Sequence, residues 1–186
     1  MKAMKIKRVV VTAVILIVAY LLQCTLFSKL QLGGIKPNLI LIVTAAFGFM
    51  RGQREGMLVG FFGGLMVDIQ FGDIIGFYAL IYLAVGFVNG LFEQLYFDED
   101  IKLPLFLIAG SEFVYGIVIY FLMFLMRSDF NFLYYLNQII LPELIYTIGV
   151  TLILYPLILH MNQRLEIEEK RSESNPAQKY YVCTGD

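Results

Sequence analysis

The run VVVTAVILIVAYLL, residues 9–22, is apolar around its whole circumference if coiled as a helix, and it carries no charge. A segment of that kind is buried in lipid or in the core of a large protein. A chain of 186 residues cannot build such a core repeatedly, yet the pattern recurs. Apolar stretches extend over Val9–Phe27, Pro37–Met50, Gly56–Phe71, Ile74–Phe92, Leu103–Met126 and from about Ile139 to Met161. A membrane-spanning helix needs about 20 mostly apolar residues. Only 16% of the residues are charged, against roughly 25% in a soluble domain. The strict alternation of a lipid-facing barrel strand is absent. The sequence therefore predicts an all-α integral membrane protein. Residues 1–161 form a compact bundle of about six transmembrane helices, and 162–186 form a short polar cytoplasmic tail.

The second and third stretches are short, and only RGQRE separates them. They read as a re-entrant pair or as two tilted helices; the six-span reading takes the second option. Orientation follows the cations in the loops. Lys2, Lys5, Lys7 and Arg8 precede the first stretch, Arg51 and Arg54 follow the second, and Lys102 follows the fourth. Arg164, Lys170, Arg171 and Lys179 follow the sixth. Lys29, Lys36 and Arg127 fall on the opposite side. The bias predicts both termini in the cytoplasm. With 14 basic and 15 acidic residues there is no basic footprint, so the expected surroundings are a lipid bilayer and not nucleic acid.

MKAMKIKR followed by an apolar run has the start of a signal peptide, but no small-residue cleavage site follows. In LLQC, Gln23 occupies the position that a lipoprotein site keeps small. The first stretch is expected to be an uncleaved start-transfer helix. Cys24 and Cys183 are placed too differently to pair, and neither has metal-ligand neighbours.

Gly56, Gly60 and Gly64 recur every fourth residue, and Asp68 continues the series. On a helix they form one stripe, a groove without side chains that another helix can enter closely. That helix is either the chain's own or a partner's, and Phe61 belongs to the same segment. Gly86 and Gly90 form a second, weaker pair. Asp68, Glu112 and Glu143 are acids within apolar stretches. A carboxylate in such a place is paired, protonated or interfacial. Asp68 either caps the adjoining loop QFGDIIG or lines a polar cavity, while Asp73 is expected to be solvated. Glu112 neighbours Ser111 and lies one turn before Tyr115. Glu143 follows Pro142, so it is either a first-turn acid favoured by the helix dipole or part of an internal cluster with Tyr146 and Thr147. Arg51 and Arg54 are expected at the opposite membrane surface. The acidic link FEQLYFDEDIK reads as a solvated loop, or as a docking patch for a basic partner.

There is no P-loop or dinucleotide fingerprint, and one His, His160, cannot make a triad or a metal site. Ser111 lacks the glycine-flanked setting of an intramembrane serine protease. Asp68 has no second aspartate in the setting that an intramembrane aspartyl protease needs. No enzyme activity, cofactor or metal is expected.

PNLILIV at Pro37–Val43, GFFGGLMVD at Gly60–Asp68 and FGDIIGFYALIYLAVGF at Phe71–Phe87 resemble the rod shape-determining protein MreD family. Pro37, Asn38, Gly60, Phe61, Gly64, Asp68, Gly72 and Gly76 match its motif positions one by one. From Phe97 onward the likeness is one of hydropathy, and Gln70 and Phe71 depart from the pattern. The resemblance implies a multi-pass protein of the bacterial inner membrane in the machinery of lateral peptidoglycan synthesis. Its implied partners are the single-span periplasmic scaffold MreC, then MreB filaments and the glycosyltransferase and transpeptidase pair. The competing expectation is a solute-binding subunit like the substrate-capturing component of energy-coupling-factor transporters. Asp68, Glu112 and Glu143 would then line a ligand cavity. Against it, Ala13 and Ala19 are six residues apart, not the Ala-x-x-x-Ala that often docks such components. An ion-coupled transporter would need internal repeats, which are not visible.

Overall fold

The computed structural model describes residues 2–31, 34–71, 75–95, 102–127 and 132–174. Within them the chain is helical, and no strand occurs. The elements are α1 (Lys2–Lys29), α2 (Leu39–Arg51), α3 (Gln53–Phe71), α4 (Phe77–Gly90), α5 (Lys102–Arg127), a single turn α6 (Phe132–Tyr135) and α7 (Leu141–Ser174). A 3₁₀ turn covers Glu93–Leu95, and a π-helical segment, Leu136–Ile140, joins α6 to α7. Among the described residues, three segments are long and apolar enough to cross a membrane: Ile6–Lys29, Lys102–Leu122 and Leu133–Glu168.

The bundle is built around α2. Every residue from Leu39 to Met50 is buried, because α1, α3, α4, α5 and α7 all pack on it. At 1.5 Å per residue, its 13 residues span only about 20 Å, less than the ~30 Å hydrocarbon layer. Enclosure by protein removes the need for that match. Asn38 starts the helix: its carbonyl accepts from the Ile42 N–H, and its side-chain oxygen accepts from the Leu41 N–H at 3.2 Å. Gln23 of α1 accepts the Ile40 N–H at 3.1 Å, which serves another of the donors left open at a helix start. Gly52, with φ +86°, ends α2, and α3 begins at the next residue. A side chain there would be strained by the left-handed backbone and would collide with Glu93.

Polar contacts tie one end of the bundle together. Glu55 of α3 pairs with Arg8 of α1, and with Arg51 of α2 at 3.2 Å. Arg51 also donates to Asn162 of α7, and Lys7 pairs with Glu168. The start of α1, the α2–α3 turn and the far part of α7 therefore share one end. The polar stretch after Met161 continues α7 without a break to Ser174. Those side chains are good helix formers, and Glu168 is anchored on α1. At its other end, the sixth apolar stretch is preceded by helical turns from Phe132.

Candidate functional site

The tightest packing in the fold is between α3 and α4. A Cβ at Gly60 would fall on the Tyr82 carbonyl, and one at Gly64 on the backbone of Ala79. A Cβ at Gly86 would fall on the Gly56 carbonyl, and one at Gly90 on the backbone of Gln53. Gly48 of α2 enters the same seam, so that three backbones meet at Gly48, Gly56 and Gly86. The glycine stripe of α3 is thus filled by the chain's own α4. Small residues let helix backbones approach this closely, which raises dispersion contact where lipid removes the hydrophobic drive between helices. Phe61 lies outside the seam. It is 38% exposed and meets Phe62 edge to face.

Asp68 locks the end of that seam. Its Oδ1 accepts from the Tyr78 N–H at 2.8 Å, and its Oδ2 accepts from the N–H groups of Gly76 and Ala79, each at 3.0 Å. These are donors at the start of α4, whose own cap residue, Gly76 at φ +101°, has no side chain to serve them. The carboxylate of one helix therefore caps the next, and the positive end of the α4 dipole favours its charge. Asp68 is 1% exposed and fully engaged.

The other acids belong to a separate polar system. The Tyr82 hydroxyl donates to Asn38 Oδ1 at 2.8 Å, and the Asn38 N–H donates to Thr147 Oγ1 at 3.2 Å. Thr147 in turn donates to Glu112 Oε1 at 3.5 Å, while Glu112 Oε2 is buried with no hydrogen-bond partner. Beside this chain of contacts lies a cavity of about 510 Å³. Pro37, Asn38, Tyr82, Tyr115, Gln138 and Glu143 line it, and Lys36 reaches its loop side. Glu143 stands in the first turn of α7. Arg51 and Glu55 pair with each other at the α2–α3 turn.

A second groove, about 530 Å³ and almost wholly apolar, separates α4 from α5. Ala84 and Val88 face Gly110, Ser111 and Val114 across it. At its floor the Asn89 amide donates to Ser111 Oγ at 2.7 Å and to the Val85 carbonyl at 2.8 Å. A Cβ at Gly110 would meet nothing within 4 Å.

Asp68, Gly76 and the six glycines Gly48, Gly56, Gly60, Gly64, Gly86 and Gly90 thus belong to one construction, while Pro37, Asn38, Glu112 and Glu143 gather around the cavity. Gly72 and Asp73 lie outside the described residues, as do most of the FEQLYFDEDIK link and Cys183. Sequence reasoning missed Gly48, Gln23, Tyr82 and Gln138. Gly48 had a local signal, since Thr44, Gly48 and Gly52 recur at helical spacing. Tyr82 had none, because its partner Asn38 is 44 residues away.

A family model described as rod shape-determining protein MreD matches residues 4–165. No curated protein and no solved structure matches the chain.

Proposed function

The chain belongs to the rod shape-determining protein MreD family, and from that premise we propose that it is a non-enzymatic scaffold of the bacterial cell-elongation machinery. Rod-shape determination follows from the family. In this reading the protein resides in the inner membrane with both termini cytoplasmic. It holds the membrane helix of an MreC-like single-span scaffold, and through it the enzymes of lateral peptidoglycan synthesis.

The observation that carries the docking part is the groove between α4 and α5. The α3 stripe is already packed against α4, which favours the second groove as the place of entry. The α4–α5 groove is apolar, contains the small residues Ala84, Gly110 and Ser111, and is lined from Leu80 to Asn89 along α4 and from Phe106 to Leu122 along α5. Those are the properties that a single entering helix uses. A solute-binding subunit is the second reading, favoured by the polar cavity beside Asn38.

The test is crosslinking in cells followed by mild-detergent capture of the tagged protein and mass spectrometry. A single-span periplasmic scaffold with wall-synthesis enzymes is expected. Its loss from Gly110→Leu, with the variant still folded, would assign the groove. Capture of paired ATPases with a coupling subunit would overturn the scaffold reading in favour of the second.

A further inference from the structure

The cavity beside Asn38 is unlike the rest of the bundle. Much of the interior around α2 is aliphatic, yet this space is walled largely by side chains that can hydrogen-bond. Tyr78, Tyr82 and Tyr115 stand on its α4 and α5 sides, with Tyr82 and Tyr115 rings tilted 33° at a centroid separation of 5.5 Å. Glu143 and Gln138 also line it, and Tyr134, 68% exposed, stands at its rim. Volumes of a few hundred Å³ with a few convergent polar groups are the ordinary form of a small-molecule site.

Two further features lie behind the cavity or at its wall. Glu112 is 3% exposed, and its Oε2 has no partner. It lies one hydroxyl behind the cavity, through Thr147 and Asn38. A buried carboxyl oxygen without a partner is costly inside a membrane bundle unless a compensating group is near. In addition, Gln138 and Ile139 reach the cavity from the π-helical segment Leu136–Ile140. Such insertions re-aim side chains and are frequent at functional sites.

We propose that this cavity binds a small zwitterion, with its ammonium group held between Glu143 and the rings of Tyr115 and Tyr134, and its anionic group turned toward Lys36. Carboxylates and tyrosine rings both attract an ammonium. Lys36 alone would not select a cation, and Glu143 alone would not select an anion; together on one cavity they fit a molecule carrying both. Two sources carry this chemistry: an aminoethyl-phosphate lipid headgroup, and the same group free in solution. The site shares Tyr115 with the α4–α5 groove, while Lys36, Tyr134, Gln138 and Glu143 lie outside that groove.

The experiment uses the full-length protein in nanodiscs. Native mass spectrometry compares retention of phosphatidylethanolamine with phosphatidylglycerol. Thermal shift then titrates phosphorylethanolamine into protein held in phosphatidylglycerol alone. Glu143→Gln and the rim variant Tyr134→Ala are measured alongside; the second removes no buried contact, so a folding failure of the first leaves the test intact. Preferential retention of phosphatidylethanolamine, reduced on the order of tenfold by Glu143→Gln and less by Tyr134→Ala, supports the lipid source. Saturable stabilisation by phosphorylethanolamine with the same sensitivity supports the soluble source. Equal retention of both lipids with no soluble stabilisation, or binding that neither variant weakens, overturns the proposal. Partner capture is expected to persist in Tyr134→Ala, which keeps a failure here separate from a failure of the scaffold reading.

Discussion

Asp68 near the end of α3 accepts the backbone N–H of Tyr78 at 2.8 Å, so one helix supplies the cap of the next. Capping by a residue ten positions upstream couples two things that are usually separate, the start of α4 and its docking on α3. The Asp68→Ala variant loses both. It leaves three N–H groups without their carboxylate and is expected to destabilise the protein on the order of 3 kcal/mol. Asp68→Asn keeps one acceptor oxygen and falls between. Asp73→Asn is expected to be silent. The check is the temperature at which the monodisperse gel-filtration peak is lost in detergent. If the two asparagine variants melt alike, the cap has no energetic weight.

The glycine seam predicts the steepest loss. Leucine at Gly60 or Gly64 must occupy space held by the backbone of Tyr82 or Ala79, and backbone cannot swing aside as a side chain can. Overpacking commonly costs about 1–3 kcal/mol, and here the helices must separate, so no folded protein is expected. Gly149→Leu is the matched control, since nothing lies within 4 Å of its Cβ position. Normal yield of Gly60→Leu alongside Gly149→Leu would mean that α3 and α4 do not meet as described.

These two features were legible because their signals are local. Four-residue spacing puts Gly56, Gly60, Gly64 and Asp68 on one stripe whatever the stripe meets. What could not be read was the identity of the neighbour, because a groove for α4 and a groove for a partner have the same glycines. The α2 segment was legible as short, but its total enclosure depends on five other helices. The cavity was the least legible. Asn38, Thr147 and Glu112 are joined by contacts that cross 109 and 35 residues, and separate polar residues in apolar stretches carry no mark of who faces whom. The π-helical turn that brings Gln138 to the cavity has no sequence signature at all.

The charged end of the bundle behaves as a latch. Glu55 accepts from both Arg8 and Arg51, and the Arg51 side chain is only 8% exposed. Glu55→Gln removes the one negative charge that two guanidinium groups share and should cost about 1–3 kcal/mol. Arg8→Gln, at a more exposed site, should cost less than about 1 kcal/mol. Melting in low and high salt separates them: the Arg8 contribution fades with screening, and the Arg51 contribution does not. Equal costs with equal salt dependence would contradict the burial of Arg51.

Deletion after Ser174 and deletion after Met161 should differ sharply. The shorter cut removes Asn162 and Glu168, the partners of Arg51 and Lys7. Asn162 is 4% exposed, so its loss uncovers a buried guanidinium. The chain ending at Ser174 is expected to fold with unchanged melting temperature. The chain ending at Met161 is expected to melt lower and to lose protection from protease in α1. Identical behaviour would return the polar segment of α7 to the status of an accessory tail.

Thr147 offers the most selective probe of the interior. Its hydroxyl accepts from the Asn38 N–H and donates toward Glu112, and the residue is fully buried. Thr147→Val is nearly isosteric, so packing changes little, but the Asn38 N–H loses its acceptor and Glu112 loses its one donor. Leaving buried polar groups unserved costs about 1–3 kcal/mol each. Thr147→Ser restores the hydroxyl, gives up a methyl group and should recover most of the stability. The order expected in detergent melting is therefore wild type, serine, then valine. If valine equals wild type while serine falls, the site is governed by packing alone and the hydrogen-bonded chain from Tyr82 to Glu112 carries no weight. If valine falls and serine does not, the same chain sets the wall of the cavity beside Asn38. Ligand retention should then drop in Thr147→Val even when the measurement is made well below its melting temperature.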